Sequence, residues 1–422
     1  MSLTIGGTAH WLSAAHALPG GIGLALAMHL FGTSKQADAL LLAQSGLIML
    51  NMAQMLLLEQ FMVEHEKLRV LGKEAHSFKS GLVLATAAGL VGLTIYWITW
   101  GVLSVYGRAS HDLLIVVLAL SPATAFFPLL SVSRSVAYCE GKAVPAEALS
   151  LCFAFAGTIV PLLMLIGWME PSAWRIASAQ SLCWVGSAIG TLYITWPESN
   201  LNTTESGTLK DASVLAAKTG ITSLKMKLAH NIHPLGSLAV INWMLSGMPE
   251  GATASFFYAK RISDAAFYAS SAVPFLMITI KGAKASIDVA ARQSYPGDCS
   301  QFWRRGLTSL LLAYIGAAAA CAALLEWGGM GAFSGPFWML WLIALWNAVI
   351  FLEAGWVALL VGAGNSRIFM MTNSFFLGNF ALFATIGVWS GLGAYSLPLA
   401  GLVAQISSAA IFRHVALRQL SR

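Results

Sequence analysis

The chain has 422 residues, of which 57% are hydrophobic and only 10% charged. A soluble domain carries about 25% charged residues, so this composition excludes an ordinary soluble enzyme and points to a polytopic membrane protein. The formal net charge of +6 is no nucleic-acid signal until the positions of the charges are known.

The start "MSLTIGGTAHWLSAAHALPGG" lacks a basic n-region, so no cleavable signal peptide is expected. A membrane-crossing helix needs roughly 20 mostly apolar residues. Twelve such segments are predicted, centred near residues 19, 51, 93, 124, 157, 185, 236, 266, 316, 349, 378 and 405. Connections are short except near 64–80, 197–217 and 282–305, the first and last of which are basic. The middle one, "WPESNLNTTESGTLKDAS", is polar and breaker-rich and reads as a linker between halves. Its Asn202 sequon reads as a chance match on a cytosolic loop. The predicted organisation is all-α, with a six-helix bundle over 1–197, a cytosolic linker over 198–216 and a second six-helix bundle over 217–422.

Lys and Arg in alternate connections set the orientation. With the N-terminus inside, the inner connections and C-terminus hold Lys67, Arg69, Lys73, Lys79, Arg134, Lys142, Lys210, Lys218, Lys281, Lys284, Arg292, Arg304, Arg305, Arg367, Arg413, Arg418 and Arg422. Only Lys35, Arg108 and Arg175 fall outside. Both termini are therefore expected in the cytosol, and most of the positive charge is topological.

The halves share features that suggest a parallel repeat around a central cavity. "FGTSKQADALLLAQ" opens the second segment and "MPEGATASFFYAKR" the eighth. "HALPGG" and "HPLGS" place a His beside a Pro or Gly break in the first and seventh. Matched breaks in two halves are the best sequence pointer to a transporter's central site.

Four cations fall within predicted membrane segments: Lys225, Lys227, Lys260 and Arg261. The first two read as interfacial anchors. Lys260 and Arg261 lie roughly 12–14 Å into the eighth segment, near the middle of a hydrocarbon core about 30 Å thick. Each costs about 2.5–3.5 kcal/mol there, which a water-filled interior relieves. Asp264 falls on their face and pairs with one of them; one acid cannot neutralise two cations. The arrangement reads either as an ion pair joining helices or as an anion site, with Arg a planar fork for phosphate and Lys a mobile charge. Glu353, near the centre of the tenth segment, reads as a proton or cation site, as the partner of Lys260 or Arg261, or as an interhelical hydrogen-bond acceptor. Glu59 is expected exposed at a helix end. His16, Asn231 and His233 beside the breaks, and Asn51 and Asn242, are candidates either to line the cavity or to satisfy freed backbone groups.

Neither GxSxG, HExxH nor a Walker loop occurs, so no enzyme and no cofactor is expected. Five cysteines without CxxC spacing suggest neither zinc nor a redox pair.

"FGTSKQADALLLA" followed by "ASFFYAKRISDAAFYASSAVPFLMITIKGAKAS" resembles the multidrug/oligosaccharidyl-lipid/polysaccharide (MOP) exporter superfamily, particularly its MurJ-type lipid II flippases. The resemblance puts Arg261 at the position of a functionally important Arg and Pro274 near a helix-ending proline. It implies alternating access and a lipid-linked saccharide carried across a bacterial inner membrane, with membrane lipids around it; the sequence itself gives no reason to expect anything but a monomer, and H+ or Na+ are the candidate coupling ions. MurJ-type members also carry cations in the first two segments; here there is no Arg, and Asn51 stands about where one is expected. They usually have fourteen segments rather than twelve. A Wzx-like flippase for another undecaprenyl-linked saccharide fits these departures better. The competing readings are a cation-coupled multidrug exporter, which the cations at 260 and 261 argue against, and a membrane glycosyl polymerase or ligase, which usually needs a long outer loop.

Overall fold

The computed structural model describes residues 17–58, 74–196, 232–327, 335–363 and 366–420, with the single positions 12, 15, 61, 65, 68 and 214. Among these there are helices and turns but no strand. The helices are α1 (Ala17–Phe31), α2 (Lys35–Leu58), α3 (Glu74–Val105), α4 (His111–Cys139), α5 (Ala143–Ala156), α6 (Ile159–Leu165) and α7 (Ala173–Thr195). After these come α8 (Ile232–Leu245), α9 (Ala252–Ile287), α10 (Val289–Trp327), α11 (Gly335–Gly362), α12 (Ser366–Trp389) and α13 (Ser396–Leu420). Every predicted apolar segment falls on a described helix, with α5 and α6 together forming the fifth. Among the described residues, seven segments are long and apolar enough to cross a membrane, and α1 and α8 contain shorter apolar stretches. The chain is an all-α, multi-pass membrane protein.

Two compact units are present, one of Met1–Phe31 and Lys35–Leu228, the other of Gly32–Ser34 and Ala229–Arg422. Of the predicted linker over 198–216, only Val214 is among the described residues.

In the first unit α4 packs against α2, α3 and α7. It carries Pro122 and Pro128 inside a continuous helix. Proline removes a backbone donor, so Pro128 deprives the carbonyl of Thr124 of its usual partner four residues on. The Gln54 side chain of α2 supplies the missing donor: its Nε2 reaches the Thr124 carbonyl at 3.0 Å and that of Ala88 on α3 at 3.1 Å. Ser181 of α7 accepts from the Ala123 N–H at 3.1 Å, just after the other proline. Side chains of neighbouring helices thus repair a proline-broken ladder where no water can. Small residues let the helices close in. A Cβ on Gly89 would stand 2.4 Å from the Ala125 carbonyl oxygen, and one on Gly92 would stand 2.0 Å from Gln54 Nε2.

The turn between α4 and α5 shows why the connections are short. Gly141 has φ +73°, the left-handed region open to glycine at little cost. That lets the Lys142 N–H return to the Ala137 carbonyl at 2.7 Å, closing the helix end within the turn.

In the second unit α9 packs on α10 and α11, and α13 packs on α11 and α12. The hydrophobic core at one end joins Ile278, Ala285, Tyr295, Cys299, Leu359, Phe369 and Phe412. Further along, Phe302 stacks on Phe351 with centroids 4.5 Å apart and planes 8° from parallel. Gly306 admits that stack, since a Cβ there would lie 1.9 Å from the Phe351 ring.

Two sequence expectations are corrected. Residues 289–305 are not part of a loop: only Asp288 separates α9 from α10, and Pro296 lies inside α10. The Pro-Gly pair reads as a breaker, but Pro296, the eighth residue of α10, is carried through by the burial of Tyr295 and Cys299 on either side of it. Arg134 is not in a loop either; it belongs to α4, where it forks onto Glu147 of α5.

Candidate binding site

α9 begins at a tight turn capped by Gly251, at φ +84°, where a Cβ would also stand 3.0 Å from the Thr33 carbonyl oxygen. From there the helix buries a stripe of Phe256, Ala259, Ser263, Ala266 and Ser270, the i, i+3, i+7 pattern of a core-facing helix. Lys260 and Arg261 flank this stripe and are partly exposed. On a helical wheel Asp264 falls between them, about 40° from Lys260 and about 60° from Arg261. The carboxylate goes to the lysine, with Nζ donating to Oδ1 at 2.9 Å and to Oδ2 at 2.8 Å. The two side chains retain 25% and 37% of their exposure, so the pair is not sealed from a surrounding medium. Two cations against one acid leave a formal charge of +1 on this turn and a half.

One residue inward from the pair lies a polar cluster that connects three helices. Ser263 Oγ of α9 and Tyr314 Oη of α10 are 2.5 Å apart. Asn347 Nδ2 of α11 donates to both, at 3.1 Å and 2.7 Å. All three side chains are buried. The cluster locks the face of α9 next to Lys260 and Asp264 to its two neighbours, and so fixes the direction in which the cations project. Sequence reasoning missed it; the one available signal was Asn347 within the apolar run "LWLIALWNAVIFLEAGW".

Glu353 corrects one expectation. It pairs with neither Lys260 nor Arg261. It is 8% exposed and accepts from Gln405 Nε2 at 2.5 Å and Ser408 Oγ at 3.1 Å, both on α13. Trp346 Nε1 donates to Gln405 Oε1 at 3.2 Å and orients that amide toward the carboxylate. A carboxylic group held by neutral partners suits an interhelical tie between α11 and α13, and equally a site where a proton exchanges.

The remaining predicted residues are dispersed. His233, at the start of α8, sets its ring edge-on against Phe376 of α12 at 4.0 Å, and its buried Nε2 lacks a hydrogen-bond partner. Asn51 stands on α2 of the first unit with a buried, unsatisfied Oδ1, and Asn242 on α8 shows the same. His16, Glu59 and Asn231, like Lys225 and Lys227, lie outside the described residues. No group of His, Cys, Asp or Glu among the described residues is arranged to hold a metal ion.

In the first unit, Glu147 is 1% exposed and takes the Arg134 guanidinium with both oxygens, Nε at 2.9 Å. Tyr138 Oη donates to the same carboxylate at 3.1 Å. This ion pair was legible only as an acid inside the apolar stretch "AVPAEALSLCFAFA".

No protein-family model matches the chain, and no curated protein matches its sequence. Solved structures do share its architecture. The lipid II flippase MurJ in an inward closed conformation aligns with TM-score 0.67 over 97% of this chain and 89% of its own, at 14% identity. An inward-facing multidrug resistance MATE family transporter of the MOP superfamily aligns with TM-score 0.66 over 94% of each chain, at 13% identity. A MOP superfamily transporter from Pyrococcus furiosus gives 0.51, at 13% identity over 98% of this chain and 95% of its own. The chain therefore has the fold of the MOP exporters, as the resemblance in its second and eighth segments implies.

Proposed function

We propose that the chain is a flippase that carries a polyprenyl-diphosphate-linked saccharide between the leaflets of a bacterial inner membrane by alternating access. The observation that carries this reading is the adjacency of two partly exposed cations, Lys260 and Arg261, on one flank of α9 within an otherwise apolar run. A diphosphate headgroup offers oxygens to both cations, and the planar Arg261 fork suits them. The Lys260–Asp264 pair keeps the lysine extended and lowers the net charge, so that binding stays weak enough for release. The polyprenyl tail remains in lipid while the headgroup crosses. An inside-negative potential favours outward movement of an anion by about 2.3 kcal/mol per charge per 100 mV.

A second reading is a cation-coupled exporter, favoured by the buried Glu353 with its neutral partners. The two are separated by reconstituting the protein in liposomes with a fluorescent lipid-linked saccharide. The flippase reading expects translocation that falls about 100-fold in Arg261→Ala, a loss of roughly 2.7 kcal/mol at 1.36 kcal/mol per tenfold. Full translocation by that variant overturns the diphosphate assignment. Proton- or sodium-driven efflux of an organic cation, lost in Glu353→Gln, supports the exporter instead.

A further inference from the structure

α10 has 39 residues, about 58 Å of helix, against a hydrocarbon core of about 30 Å. Its continuous apolar run is Leu310–Leu325, so the preceding half projects beyond the core. That half is sharply two-faced. Tyr295, Cys299, Phe302, Trp303 and Gly306 turn toward α11, where Tyr295 Oη donates to the Gly355 carbonyl at 2.6 Å and Trp303 Nε1 to that of Leu352 at 3.0 Å. Ser294, Asp298, Gln301, Arg304, Arg305 and Thr308 recur at helical spacing on the other side and line a cavity of about 960 Å³.

The charges on this face do not cancel. Asp298 already serves Lys281 of α9 at 2.5 Å. Among the described residues, neither the Arg304 nor the Arg305 guanidinium has a protein partner, and both residues are exposed. They lie five and six residues before the apolar run, roughly 8–9 Å outside the hydrocarbon, which reaches the depth of the lipid phosphates. Topological cations need only be on the correct side of the membrane. Two adjacent free arginines at phosphate depth, beside hydroxyl and amide donors and opening on a cavity, require more than that rule to explain them.

We propose that this face of α10 is a binding site for the headgroup of an anionic membrane phospholipid, held by Arg304 and Arg305 with Gln301 and Thr308 as further donors. The site is separate from the Lys260–Arg261 pair and independent of the cargo. The lipid would brace the projecting half of α10 against the bilayer surface.

The test is native mass spectrometry of the purified full chain, titrated with phosphatidylglycerol, phosphatidylcholine or inorganic phosphate. Wild type should retain a phosphatidylglycerol that an Arg304→Gln/Arg305→Gln variant binds about 30-fold more weakly. Phosphatidylcholine and free phosphate should not compete, and Arg261→Ala should bind as wild type does. Both arginines are exposed, so the double variant should melt within a degree or two of wild type once delipidated. Equal phosphatidylglycerol retention in wild type and the double variant overturns the proposal. So does displacement by inorganic phosphate, which would make the cavity a site for a soluble anion.

Discussion

The two units hold their charged groups within an apolar surround in different ways. The first pairs its buried acid with a cation and caps a bare carbonyl, although Asn51 Oδ1 stays unsatisfied there. Arg134 forks onto Glu147, Tyr138 completes that carboxylate, and Gln54 donates to the carbonyl that Pro128 leaves bare. The second holds its acids in other ways. Lys260 and Arg261 share one acid, and Glu353 is held by an amide and a hydroxyl rather than by a cation. A polar group that is fully satisfied within the protein strengthens the scaffold, whereas one with residual charge or capacity is available to a ligand. The proposed function places its chemistry in the second unit and leaves the first as support.

The comparison is broken most severely by Glu147→Ala. It strands Arg134 and should destabilise the protein by about 3 kcal/mol, less than the upper range because the arginine side chain keeps 29% exposure. Thermal unfolding in detergent reads this, and the Arg134→Ala/Glu147→Ala double variant should recover part of the loss. A sharper contrast follows from exchanging the readouts. Arg134→Ala should leave translocation per folded molecule within about two-fold of wild type, while Arg261→Ala lowers it about 100-fold with little change in melting. Comparable transport losses in both would remove the division between scaffold and site. Gln54→Leu should cost about 1–2 kcal/mol, because it orphans the Thr124 carbonyl in α4. The smallest effect is expected at Asn347→Leu, about 0.6 kcal/mol in stability, since Ser263 and Tyr314 still bond each other.

Much of the architecture was legible because hydrophobic length is a direct physical requirement of a bilayer, and each of the apolar segments duly falls on a helix. Errors arose where the sequence offers a local signal and tertiary packing overrides it. Pro296 and Gly297 read as a break, yet α10 runs through them because Tyr295 and Cys299 anchor that turn among α9 and α11. The site was legible in its charges: Lys260, Arg261 and Asp264 stand out within an apolar run, and their shared face follows from helical geometry alone. Its supporting cluster was not. Ser263, Tyr314 and Asn347 are up to 84 positions apart, and each is an ordinary residue until the helices meet. Glu353 shows a third case, a charge visible in the sequence whose partners on α13 no spacing rule could supply.

One joint has a mechanical consequence. Asp288 alone separates α9 from α10, and its carboxylate accepts from the Ala290 N–H at 3.0 Å, stitching the corner shut. Such a corner has no slack, so any tilt of the rod bearing Lys260 and Arg261 must be handed on to its neighbour. Over the roughly 54 Å of α9, about 5° of rotation becomes about 5 Å of travel at the far tip. A few flexible glycines spliced in at this corner would leave each rod intact and uncouple their motion.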